Sequence, residues 1–123
     1  MTVAFWCVLI AALLPYVPFA LASSKLDART PRVGAQALEG LAARAYGAHL
    51  NGFEAFPFFA AAVIVSHVVE GANATVGWLA VAFVLARLAH MAFYLVDRQP
   101  LRSAFFFVAM ALTIVIFVHP AFR

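Results

Sequence analysis

The stretch Arg44–Phe59, RAYGAHLNGFEAFPFF, decides the reading of this chain. It places Asn51 and Glu54 inside a segment that is otherwise apolar enough to cross a bilayer. A carboxylate at bilayer depth costs about 2.5–3.5 kcal/mol on insertion scales, so such groups face a bundle interior and mark a site. The composition supports the membrane setting: of 123 residues, 67% are hydrophobic and 11% charged, outside the range of a soluble globular domain. A helical span needs about 20 mostly apolar residues. Four such spans fit, at about 3–22, 44–69, 75–96 and 102–119, and they leave no soluble module, so the chain reads as a single membrane domain over 1–123. The expected fold is all-α, an integral membrane four-helix bundle.

The connections agree with that partition. Residues 23–43 form the one hydrophilic loop, with Lys25, Asp27, Arg29, Arg32 and Glu39. Glu70-Gly71-Ala72-Asn73 reads as a tight polar turn, and Asp97-Arg98-Gln99-Pro100 as a short charged break. A signal peptide is the rival reading of the first span, because Ala20-Leu21-Ala22 resembles a cleavage site. The stretch before it has no Lys or Arg, however, and the apolar run is longer than a usual signal core, which favours a retained span with Pro15 and Pro18 inside it. The net charge of +3 does not point to nucleic acid, because the basic residues sit in loops flanking the spans and suit lipid headgroups and topology better. Cys7 has no partner for a disulfide, and His49, His67 and His119 do not have metal-ligand spacing, so no metal is expected.

Two polar stripes carry the functional reading. Arg44, Asn51 and Glu54 share a face of the second span, and Arg87, His90 and Tyr94 share a face of the third. Glu54 lies ten residues beyond Arg44 and Arg87 ten residues before Asp97, about 15 Å in each case, so the spacing predicts a buried Glu54–Arg87 ion pair with Asn51 near His90 or Met91. A pair alone would be a structural clasp. The polar groups continue toward the surface through Arg98 and Arg102, and a graded set of this kind suits an anionic, hydrogen-bonding ligand.

The residues Arg44, His49-x-Asn51-x-x-Glu54, Pro57, Arg87-x-x-His90-x-x-x-Tyr94 and Arg102-Ser103 resemble the MAPEG family, the membrane-associated proteins in eicosanoid and glutathione metabolism. The likeness spans the chain and is strongest from 44 to 103. It is closest to the small bacterial branch, with motifs similar to those of microsomal prostaglandin E synthase and the microsomal glutathione transferases. It implies a homotrimer in a bacterial inner membrane, with glutathione as cosubstrate held between neighbouring subunits and a lipophilic small-molecule electrophile drawn from the bilayer. By that resemblance Arg44, Asn51, Glu54, His90, Tyr94 and Arg102 would contact glutathione and Arg102 with Ser103 would be the catalytic pair that stabilises a thiolate; the polar stripe adds Arg87 and Arg98 to the ligand-binding set. The expected function is a glutathione- or thiol-dependent transferase or peroxidase. The chain departs from that pattern at Gly47 and Leu50, where relatives carry arginines, and in the length of the Tyr94–Arg102 linker. Lys25, Arg29 and Arg32 are the candidates to replace those arginines.

The alternatives are a non-catalytic member of the family whose polar stripe is structural, and a small multidrug exporter. The exporter pattern needs a carboxylate in the first span, where this chain has none. Orientation follows from charge. Lys25, Arg29, Arg32, Arg44, Arg98 and Arg102 fall on one side and Arg123 on the other, 6 against 1, which puts both termini outside the cytoplasm. A reporter fused after Arg123 is expected on the non-cytoplasmic face; a cytoplasmic signal there would overturn the span count or the orientation.

Overall fold

The computed structural model describes residues 1–123 and is 84% helical with no strands. The first span is two helices, α1 (Val3–Leu13) and α2 (Tyr16–Ser23), and the loop after it holds a single turn, α3 (Pro31–Gly34), followed by a short 3-10 segment at Ala35–Ala37. Three long helices follow: α4 (Gly40–Glu70), α5 (Ala74–Leu95) and α6 (Gln99–Val118), the last running on into a 3-10 turn at His119–Phe122. Four segments, Val3–Ser23, Gly40–Glu70, Ala74–Leu95 and Gln99–Phe122, are long and apolar enough to cross a membrane.

The boundaries differ from the sequence reading in three places, each for a local reason. The first span is broken at Leu14–Pro15, where proline chemistry interrupts the helical ladder. His49 meets this break: its Nδ1–H donates to the Pro15 carbonyl at 2.8 Å, and its ring lies among Tyr16, Phe19, Tyr46 and Phe53. The second helix starts four residues early, at Gly40, and its 31 residues make it about 46 Å long, well beyond a hydrocarbon core of about 30 Å. Its first turns therefore reach past the lipid. The fourth helix starts at Gln99 because Pro100 falls in the first turn, where its missing N–H costs nothing.

α4 and α5 form the central pair, with the first span packed on one side and α6 on the other. Helices in lipid gain nothing from hiding apolar surface from lipid tails, so they associate through close packing of small residues. The contacts follow that rule: Ala4, Cys7 and Ala11 of α1, Ala62 of α4, Ala80 and Ala86 of α5 and Ala109 of α6 are all buried. Phe59 and Phe83 fill the centre, stacked with ring centroids 3.8 Å apart. At one end Asn73 Oδ1 caps α5 by accepting from the Thr75 and Val76 amides. There Glu70 accepts hydrogen bonds from Ser66, Asn73, His119 and Arg123, which ties the end of α4 to the end of α6.

Gly52 lets the broken first span approach α4. A Cβ at this position would stand 2.6 Å from Pro15 Cγ, and the proline ring has little freedom to yield. Gly52→Ala is expected to cost about 1–3 kcal/mol as overpacking, measured as a lower Tm in detergent, while Ala61→Val on an exposed face leaves Tm unchanged. Equal tolerance of the two would overturn the close approach.

Candidate functional site

The site lies where α4, α5 and the first turns of α6 meet. Arg44 stands just inside the start of α4, and its Nε donates to the Leu95 carbonyl at 3.1 Å. It therefore satisfies the C-terminal end of α5, where a cation also meets the negative end of the helix dipole. One turn or two deeper, Arg87 is 5% exposed, and its Nη2 donates to Asn51 Oδ1 at 2.6 Å.

This bond corrects the expected ion pair. Glu54 is exposed and forms no salt bridge with Arg87; the salt bridges of the chain join Glu70 to His119 and Arg123. The reason is angular. Depth matching alone puts Glu54 opposite Arg87, but three residues turn a helix by about 300°, so Glu54 sits about 60° around α4 from Asn51. Asn51 faces α5, whereas Glu54, though it borders a cleft that Arg87 also lines, does not come within salt-bridge distance of the guanidinium. A neutral amide also satisfies the guanidinium without the desolvation cost of a second buried charge.

His90, one turn along α5, is 3% exposed, and its Nδ1–H donates to the Arg102 carbonyl at 2.9 Å. Because a carbonyl can only accept, this bond fixes the proton on Nδ1 and leaves the Nε2 lone pair as an acceptor in the neutral ring. Nε2 is buried and has no partner, as is Arg87 Nη1. Tyr94 packs edge-on to His90, and the Arg102 guanidinium lies over the Tyr94 ring, 4.5 Å from its centroid. Asn51, His90, Tyr94, Arg102 and Ser103 line one open cleft of about 260 Å³, closed on its apolar side by Phe106 and Phe107.

The structure thus brings five of the nine expected residues into one cleft. Glu54 and Arg87 line an adjoining one, Arg44 braces the end of α5, and Arg98 is exposed at the cap of α6. Lys25, Arg29 and Arg32 are exposed and none of them lines the cleft. Gly47 has a specific reason to lack a side chain, since its missing Cβ makes room for the Tyr94 hydroxyl, with which any Cβ would collide. An arginine there would displace Tyr94. Leu50 is exposed on the outer face. Phe106 and Phe107 were missed as lining residues, although Phe106 lies four residues after Arg102 and three after Ser103, a same-face spacing that α6 makes legible.

A bundle of four apolar helices long enough to cross a membrane, with an open polar cleft toward one end, defines a class of integral membrane protein with a hydrogen-bonding cleft among its helices. The chain belongs to the MAPEG family, whose family profile matches residues 3–122. That family includes glutathione transferases and related proteins. No curated protein and no solved structure matches the chain.

Asn51 is the acceptor on which Arg87 depends, so Asn51→Ala is expected to destabilise the protein by about 1.5–3 kcal/mol, the range for a hydrogen bond to a charged group. Glu54→Gln, which removes no bond to Arg87, is expected to cost less. Thermal unfolding in detergent orders the two variants. A larger loss at Glu54 would restore the ion pair.

Proposed function

We propose that this protein is a membrane-embedded, glutathione- or thiol-dependent transferase or peroxidase that joins a thiolate to a lipophilic electrophile or reduces a lipid hydroperoxide. The observation that carries the reading is the convergence of Arg102, Ser103, Tyr94, His90 and Asn51 on one cleft that opens beside the start of a membrane-crossing helix. An anionic, hydrogen-bonding cosubstrate suits that lining. Arg102 and Ser103 supply donors for a thiolate, and the N-terminus of α6 adds partial positive charge to the same place. A free thiol has pKa about 8.5, and a nearby guanidinium favours the anion. In the transfer reaction the sulfur forms a bond to an electrophilic carbon and the leaving group departs with the bonding electrons. In the peroxidase reaction the thiolate sulfur attacks the terminal peroxide oxygen, the O–O bond breaks, and the lipid leaves as an alkoxide that takes up a proton to become its alcohol; the sulfur, now a sulfenic acid, reacts with a second thiol to give a disulfide and water.

The same reading includes a homotrimer in a bacterial inner membrane, with lipids around it, both termini outside the cytoplasm and the thiol shared between subunits. What supports assembly is Glu54. Its carboxylate is exposed near the middle of α4, and at that depth a second copy of the chain is a better neighbour than lipid. The non-catalytic alternative accounts for Arg44 and for the Asn51–Arg87 bond, both of which are internal braces. It leaves Arg102 and the partnerless His90 Nε2 without a purpose.

Two measurements test the reading. Glutathione at 100 times its Kd is expected to stabilise the detergent-purified protein by about 2.7 kcal/mol, seen as a higher Tm; no shift would favour the structural alternative. Arg102→Lys keeps the charge but loses the fork of donors. Both Arg102→Lys and Arg102→Ala are expected to insert normally and to lose thiolate absorbance and turnover with a model electrophile. Intact turnover in the alanine variant would make Arg102 a membrane anchor and remove the principal residue of the enzyme reading.

A further inference from the structure

The end of the bundle far from Arg102 carries two clefts of its own, one on either side of the turn that joins α4 to α5. Asn73, Thr75, His119 and Arg123 line the first, of about 440 Å³. Thr2, Val3, Gly77 and Trp78 line the second, of about 330 Å³. Ala72, Asn73 and Ala74 border both, so only a low wall of short side chains separates a polar cleft from a mostly apolar one.

The tryptophans place this end at the headgroup level of a bilayer. Trp6 and Trp78, the only two in the chain, lie near the starts of α1 and α5, and both are more than half exposed. Tryptophan collects at membrane–water interfaces, where an apolar ring with a polar N–H suits both sides. A groove at that level, polar on one side and apolar on the other, has the two polarities of a phospholipid.

The polar cleft narrows the choice of headgroup. Glu70 takes one bond from Arg123, through Nη1, and the other N–H groups of that guanidinium have no partner in the chain. The Arg123 side chain is 58% exposed and that of Glu70 only 9%, so the charge presented outward is the cation. Thr75 adds an exposed hydroxyl. His119 Nδ1–H donates to Glu70, which leaves its Nε2 lone pair as an acceptor in the neutral ring. An anionic phosphate meets the guanidinium, and a hydroxyl beside that phosphate meets His119. An ammonium in the place of that hydroxyl is repelled by Arg123.

We propose that this end binds one phospholipid with a phosphoglycerol headgroup: the phosphate on Arg123 and Thr75, a headgroup hydroxyl on His119 Nε2, and the acyl-bearing part crossing the 72–74 wall to lie against Val3 and Trp78. The site shares no residue with the cleft around Arg102, so it stands or falls apart from the thiol-transfer reading.

The test adds phosphatidylglycerol or phosphatidylethanolamine of the same acyl chains to the delipidated full chain in detergent and counts retained lipid by native mass spectrometry. One phosphatidylglycerol per chain is expected at about one-tenth the concentration needed for phosphatidylethanolamine, because a hydrogen bond to a charged group is worth about that factor. Arg123→Gln keeps a donor for Glu70 but removes the charge, and it should erase the preference. Arg29→Gln, in the basic loop at the other end, should leave it intact. If Arg123→Gln does not fold, Ala72→Phe obstructs the passage between the two clefts without touching Glu70 and should release the lipid. Glycerol 3-phosphate, a headgroup without acyl chains, should fail to displace the lipid at equal concentration; displacement would make this a site for free phosphate esters and overturn the lipid. Equal retention of the two phospholipids, or a preference that survives Arg123→Gln and is lost in Arg29→Gln, would overturn the headgroup site.

Discussion

The bond from Arg87 to Asn51 is the constraint on which the rest of this bundle depends. A guanidinium in the hydrocarbon region cannot be left to find its own partner, because lipid offers none and the cost of a stranded charge is several kcal/mol. Helix packing in lipid, by contrast, discriminates weakly between neighbouring registers, since small residues recur along every helix here. One short polar bond between α4 and α5 therefore selects among registers that apolar packing leaves close in energy. The Phe59–Phe83 stack lies eight residues further along α4 and four residues back along α5, in the antiparallel sense, the long Arg87 side chain spanning the remaining offset of about 6 Å.

The functional cleft follows from the same register. With Asn51 held against Arg87, the next turn of α5 carries His90 to the first turns of α6, where the Arg102 carbonyl receives its Nδ1–H. Tyr94, a further turn on, lies over the gap left by Gly47 and supports the Arg102 guanidinium on its ring. Each polar side chain is positioned by the one before it. The arrangement holds Arg102 and Ser103 beside Tyr94 and Asn51 in one cleft, so that a ligand bound there would meet side chains already ordered by the fold.

Much of this was legible in the sequence, for identifiable reasons. Span number and the helical faces of Asn51, His90, Tyr94 and Arg102 follow from hydropathy and a period of 3.6, both of which are local. The partner of Arg87 was not legible, because depth is a one-dimensional coordinate and the choice between Asn51 and Glu54 is made by rotation about α4. Gly47 and Leu50 read alike as missing arginines, yet the structure separates them: one is a packing vacancy for Tyr94 and the other is an outward residue. The role of His49 was hidden because it depends on where the first span breaks, and the clasp on Glu70 because His119 and Arg123 reach it across 49 and 53 residues of sequence. Ser66 and Asn73, four and three residues from Glu70, were the local half of that signal.

The two ends of the bundle differ in how far their polar groups are met from within the protein. At the end where α4 meets the last turn of the chain, the Glu70 carboxylate accepts from four side chains, so its hydrogen-bonding capacity is met from within the protein. Toward the other end, Arg87 Nη1 and His90 Nε2 are buried without partners, and Arg102 rests its charge on an aromatic face. Unmet buried polar groups are rare in folded proteins because each costs about 1–3 kcal/mol. The satisfied end is a closure, which holds α4 and α6 together. The unsatisfied end holds one donor, on Arg87, and one acceptor, on His90, that no side chain of the bundle meets, close to the cleft lined by Asn51, Tyr94, Arg102 and Ser103.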